Sequence, residues 1–187
     1  MARRLRYGVA ASLDGFIAEP DGGYDWIVHD PSIDFVALHR QFGAAVMGRK
    51  TYELVLGQGG DGSLPGLDVV VFSKTLAPVT RRKFRIVNDD PGTVVRELKS
   101  QSGGDIWLFG GGGLFRTLAD AGLVDTVEVA LMPILLGSGI PLLPPGDHVK
   151  LVLGDHRVLP ATGIIALSYA VEGTGAEAPK IGHIKGV

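Results

Sequence analysis

The chain has 187 residues, enough for one domain with a sizeable core. Hydrophobic residues make up 45 % and charged residues 20 %, and the formal net charge is −2; that balance fits a globular fold and argues against a broad basic surface for nucleic acid. There is no cysteine, which excludes disulfides, thiolate metal sites and cysteine nucleophiles.

The first residues, MARRLRYGVAAS, have arginines but lack the apolar core of a signal peptide. No apolar stretch reaches membrane-spanning length, so a cytoplasmic protein with no membrane partner is expected. Leu5 to Ala11 reads as a buried first strand, and Ser12 to His29, rich in Gly, Asp and Pro, as a long loop. Asp30-Pro31 is a helix-start signal, a capping carboxylate followed by proline, with Ile33, Ala37, Leu38 and Phe42 recurring at roughly helical spacing. Ala44 to Met47, bounded by Gly43 and Gly48, reads as a strand. A glycine-rich loop runs from Gly57 to Gly66. Val69 to Phe72 and Phe84 to Val87 are buried strands. Asp90-Pro91 repeats the helix-start signal, with Val94, Val95 and Leu98 on one face. Ile106 to Phe109 is a strand that enters four glycines. Leu114, Phe115 and Leu118 continue as a helix that closes at Ala121-Gly122. Val127 to Leu131 is a further strand, and Val149 to Leu159 with Ile164 to Val171 form a hairpin about Pro160 to Gly163. Residues 173–187, polar and glycine-rich, read as a flexible tail after a domain of 1–172. Alternating strands and helices imply an α/β fold with a mostly parallel central sheet, flanking helices and a C-terminal antiparallel hairpin.

Gly110-Gly111-Gly112-Gly113-Leu114 lies between a strand end and a helix start, where backbone N–H groups and the helix dipole meet phosphate. A Cβ would hold a phosphate away from the backbone, and the turn requires φ > 0 if it is tight. A turn alone needs fewer glycines. The run is not a Walker loop, since no Gly-Lys-Ser/Thr follows, and Phe115 occupies the third glycine position of a dinucleotide fingerprint. Two other strand ends carry anion-binding groups: Gly48-Arg49-Lys50-Thr51 and Ser73-Lys74-Thr75. Each alone reads as solvated charge. Together with the glycines they converge on one polyanionic ligand, and a dinucleotide suits the carboxyl edge of an open sheet.

Val9 to Ala18 (VAASLDGFIA), Met47 to Glu53 (MGRKTYE), Phe72 to Leu76 (FSKTL) and Phe109 to Leu114 (FGGGGL) occur in this order. The set resembles the dihydrofolate reductase superfamily, and within it the branch of the C-terminal reductase domain of the riboflavin-biosynthesis deaminase/reductase and its stand-alone relatives. The resemblance covers roughly residues 4–171. It implies a sheet of about eight strands, NADPH across its carboxyl edge and a homodimer. It implies that Ala11 holds the nicotinamide carboxamide through its backbone and that Ile17 lies against the ring. Arg49, Lys50 and Thr51 would contact the phosphates after Gly48. Ser73 and Lys74 would face the 2′-phosphate. Gly111 and Gly112 would carry the diphosphate, between Gly110 on one side and Gly113 and Leu114 on the other. The loop from Asp14 to Trp26 would close over nicotinamide and substrate. Asp34 is the one acid inside the helix that in dihydrofolate reductases carries the pterin-binding carboxylate, though its offset from Gly48 differs. Gly113 stands where many of those enzymes have arginine.

The candidate catalytic residues are therefore Asp14, Asp34 and Trp26. Against these roles stand a turn carboxylate, a solvated helix residue and a core anchor. Pro133, Leu135, Leu136 and Gly137 are expected to shape a turn near a partner interface. The activity implied is hydride transfer from NADPH to a C=N or C=O carbon of a small heterocycle, as in 5-amino-6-(5-phosphoribosylamino)uracil reductase. Dihydrofolate or pteridine reduction is the second reading, and a non-catalytic NADPH-binding module the third.

Overall fold

The structure, a computed structural model, describes residues 3–182. In chain order its elements are β1 (Leu5–Ser12), β2 (Phe16–Ala18), α1 (Phe35–His39), β3 (Phe42–Gly48), α2 (Arg49–Gly57), β4 (Asp68–Phe72), β5 (Val79–Arg81), β6 (Phe84–Val87), α3 (Pro91–Ser100), β7 (Asp105–Leu108), α4 (Gly112–Asp120), β8 (Thr126–Met132), β9 (Ile140–Pro141), β10 (Leu151–Leu159) and β11 (Ile164–Val171). Nine strands form one sheet in the order β10-β11-β8-β1-β7-β3-β4-β6-β5. The six central strands, β8 to β6, run parallel. The hairpin β10-β11 joins β8 antiparallel at one edge, and β5 pairs antiparallel with β6 at the other. The strand β5 is the addition to the expected sheet; at three residues it is too short to show a period.

Side-chain alternation divides the core into two layers. On one face Leu5, Tyr7, Ala44, Val46, Ile106 and Leu108 pack against Val94, Val95 and Leu98 of α3 and Phe115 and Leu118 of α4. On the other face Met47, Val69 and Val71 meet Tyr52 of α2, while Phe42 and Ala45 meet Leu38 of α1. One buried charge sits on this second face: Arg6, 1 % exposed, is held by Glu128 at 2.8 and 2.6 Å and by Gln41 at 2.7 Å.

Three sequence expectations change. Asp30-Pro31 does not start a helix: the buried Asp30 carboxylate accepts from Ser32 N and Oγ and from Thr162 Oγ1 at 2.6 Å, so it fastens a turn to the hairpin tip. The helix starts after Asp34 and has five residues, and Phe42 belongs to β3. The stretch expected to be a loose tail makes contacts up to residue 182: Ser168 Oγ donates to Pro179 O, Ile181 N donates to Asp155 Oδ2, and Ile181 is buried. Residues 183–187 lie outside the described residues.

Candidate active site

The parallel strands end on a common edge, and there the sheet has a notch. β1 pairs with β8 from Arg6 to Ser12 but with β7 only from Leu5 to Tyr7. Strand β7 stops at Leu108 and the chain follows β3 instead, with Phe109 N donating to Val46 O. The β7-facing side of β1 beyond Tyr7 therefore opens toward the glycine run. Trp107 Nε1, which donates to Gly8 O at 3.2 Å, marks the foot of the notch. Ala11, 1 % exposed, lies along its wall.

Two helices begin at this notch, and neither has a side-chain cap. The N-cap of α4 is Gly111 and that of α2 is Gly48. By contrast α1 is capped by Asp34 and α3 by Asp90. Uncapped first turns leave N–H groups without internal partners, at the positive end of the helix dipole. Gly110 (φ 114°) and Gly111 (φ 89°) occupy the left-handed region, which a side chain disfavours. The two helix starts meet: Thr51 Oγ1 lies 3.6 Å from where a Cβ on Gly110 or Gly111 would stand. Gly112 has a different reason to be glycine, because its Cβ would lie 2.7 Å from Pro141 O. Around Gly113, and around Gly48, there is open space.

Farther along the edge a cleft of about 230 Å³ is lined by Gly48, Ser73, Lys74, Asn88, Asp89 and Gly113, among others. Ser73 is buried and its Oγ accepts from Thr75 N and Leu76 N. Arg49 reaches Thr75 Oγ1 at 3.2 Å, and Lys50 is exposed. Ile17 and Leu114 are half-buried against the α3/α4-side core. Asp89 was not singled out in the sequence; only the pairing of β4 with β6 brings it beside Ser73 and Lys74.

The three candidate catalytic residues have defined surroundings. Asp14 accepts from Ser12 Oγ at 2.6 Å, from Leu136 N at 3.1 Å and from Gly137 N at 2.7 Å. The Ser12 hydroxyl and those two amides hold its carboxyl down at about 2. It ties the loop after β1 to the loop after β8. Asp34 caps α1 by accepting from Ala37 N at 3.0 Å. Trp26 packs with Met132, Ile164 and Ile181, and its indole N–H is buried without a partner among the described residues.

Under α1 and the preceding loop lies a second pocket of about 240 Å³, against the face of β1, β8 and β11. Gly8, Ala10, Ala130 and Ala166 form its floor, Trp107 of β7 stands beside Gly8, and Phe35 and Leu38 line its α1 side. Glu128 and His29 also line it. It borders β1 at Gly8 to Ala10, next to Ala11 and the notch. Sequence reasoning passed over Glu128, although a charge inside Val127-Glu128-Val129 is the kind of interruption that marks a buried pair or a pocket.

The RibD C-terminal domain matches residues 3–162. The chain belongs to that family. It is 29 % identical over 179 residues to YyaP, an uncharacterized protein of Bacillus subtilis, covering 89 % of this chain and 94 % of YyaP. A crystal structure from Shewanella sp. PV-4 named for riboflavin biosynthesis superposes with a TM-score of 0.77 at 27 % identity, covering 92 % of this chain and 99 % of that one. A dihydrofolate reductase from Enterococcus faecalis, complexed with NADP(H), superposes with a TM-score of 0.63 at 18 % identity, over 92 % of this chain and 99 % of the reductase. The fold is dihydrofolate-reductase-like, and the family is of the riboflavin-pathway reductase type.

Proposed function

We propose that this RibD C-terminal domain protein is an NADPH-dependent reductase of a small flat heterocycle. The carrying observation is the meeting of two uncapped helix N-termini at a notch in the sheet. Those residues fit a dinucleotide. The α4 start, from Gly111 to Gly113, and the α2 start, with Arg49, Lys50 and Thr51, would hold the diphosphate. Ser73 and Lys74 would face the 2′-phosphate. Ala11 would hold the carboxamide through its backbone, with Ile17 against the ring. When bound, NADPH supplies the hydride. The chain's part is to seat the substrate carbon in the adjoining pocket, exclude water and keep the loops around Asp14 in place. With one proton from solvent, C=N or C=O becomes HC–NH or HC–OH as NADP⁺ forms.

The ring system of the riboflavin-pathway aminopyrimidines is the first substrate candidate. Dihydrofolate has less support, because Asp34 caps α1 and does not line the pocket. No helix among the described residues is long and apolar enough to cross a membrane, and the reading places the protein in the cytoplasm. We assign the homodimer to the outer edge of β10, where Leu151, Val152, Leu153 and Val158 are exposed; sedimentation of wild type against Val152→Lys tests that. The function itself is tested by titrating NADPH against the purified chain and following cofactor oxidation with aminopyrimidines and dihydrofolate. Absence of NADPH binding at millimolar concentration would end the proposal.

A further inference from the structure

We infer that the pocket under α1 takes an uncharged planar ligand of one or two fused rings with an N–H or O–H donor, and excludes phosphorylated ones. This rests on the reductase reading and narrows its substrate class.

The floor of the pocket follows from strand register. Ala10 of β1 pairs with Ala130 of β8, and Ala130 with Ala166 of β11, while Gly8 pairs with Glu128. Three methyl groups in a row across strands about 4.8 Å apart make a flat platform about 10 Å wide. Any larger residue at these positions would fill the space. Phe35 of α1 faces this platform, and the rings of Phe42 on β3 and Trp107 on β7 stand beside it on the same sheet; aromatic rings there favour a flat π-surface. At about 240 Å³ the pocket lies below the roughly 300–1,000 Å³ of sites for larger ligands. A ring system fills it, and a phosphoribosyl arm on that ring finds no further room inside.

Charge points the same way. Among the described residues no lysine or arginine lines the pocket. Arg157 continues the alanine row on β10, outside that lining. The one fixed charge among the described lining residues is Glu128, whose partner Arg6 is buried behind it. A phosphate inside would shed its water and find a carboxylate instead of a cation. Glu128 has bonds from Arg6 Nε and Thr126 Oγ1 on Oε1, and from Arg6 Nη2 on Oε2. A carboxylate offers about four acceptor sites, so Oε2 can still take one donor from a ligand.

The matched probes 1-naphthol and 1-naphthyl phosphate differ only in the group at issue. Isothermal titration of each, with and without saturating NADPH, should show naphthol binding at least about tenfold more tightly. Ala130→Leu fills the platform and should abolish naphthol binding while the NADPH affinity stays within about twofold. Val28 is 44 % exposed at the pocket mouth, so Val28→Arg adds a cation without touching the core; it should narrow the preference or reverse it. Equal or tighter binding of naphthyl phosphate to the wild type, no binding of naphthol, or naphthol binding unaffected by Ala130→Leu overturns the inference. Failure of NADPH to bind while naphthol behaves as stated would instead overturn the reductase reading.

Discussion

Two neighbouring glycines of α4 should respond to substitution in opposite ways. At Gly112 a Cβ would lie 2.7 Å from Pro141 O and 3.2 Å from Pro144 Cδ. The first contact is with backbone, so the β9 segment must move. Overpacking of this kind costs about 1–3 kcal/mol, and at about 2–4 °C per kcal/mol for a chain of this size the melting temperature of Gly112→Ala should fall by roughly 2–12 °C. At Gly113 nothing lies within 4 Å and the residue is exposed. Gly113→Arg removes a helical glycine, a gain of about 0.5–1 kcal/mol, and sets a cation at a helix start, a cost of about 0.3–1 kcal/mol. Stability should hardly change. If the α4 start meets a diphosphate, the new guanidinium adds a charge-assisted bond, and after discounting for solvent exposure NADPH affinity should rise about tenfold. Thermal melts and equilibrium titration of both variants decide it. A Gly112→Ala protein that melts like wild type would show that β9 gives way freely. An unchanged NADPH affinity in Gly113→Arg would show that no phosphate sits there.

The double change Arg49→Ala with Lys74→Ala should weaken NADPH at least about tenfold and leave NADH nearly unaffected, and Asp89→Asn should raise the NADPH-to-NADH affinity ratio; titration of both cofactors reads each effect. Asp14 has its carboxyl lowered from 3.8 to about 2, first by Ser12 Oγ–H and then by the Gly137 and Leu136 amides, against some desolvation. Its tether is therefore complete above about pH 4 and is lost as pH falls toward 2; hydrogen exchange at Leu136 and Gly137 should quicken over that window in wild type and be fast throughout in Asp14→Ala. Asp125 accepts from Leu5 N at 2.6 Å and Lys99 Nζ at 2.5 Å. Asp125→Ala strands both donors in a largely buried place and should lower urea stability by about 2–3 kcal/mol.

The strands that position the site were legible because each is a compact apolar run closed by glycine or by charge. The helix near Asp30 was misplaced for a local reason. An Asp-Pro pair looks the same whether its carboxylate caps a helix or ties down a distant hairpin, and Thr162 lies 132 residues away. The three residues of β2 and two of β9 are too few to show alternation. Residues 173–182 read as loose because their composition is polar; one buried isoleucine and hydrogen bonds that include those of Ile181 N, Pro179 O and Glu177 O hold them, and none of these has a sequence signature. Of the site, the glycine run and the two cationic strand ends were legible as segments, and they lie at the carboxyl ends of the neighbouring parallel strands β7, β3 and β4. Asp89 and the alanine platform were invisible because both depend on which strands become neighbours.

The capping pattern bears on how long the protein survives. Asp34 and Asp90 secure α1 and α3 permanently, whereas α2 and α4 carry no such side chain. Ligand-free molecules should therefore fray first at the starts of α2 and α4, which is where a protease would enter. An anion held there acts as a removable cap, and at a hundredfold excess over its dissociation constant contributes about 2.7 kcal/mol. The half-life of the chain would then follow the supply of its ligand, so that a starved cell clears the protein and a replete one keeps it.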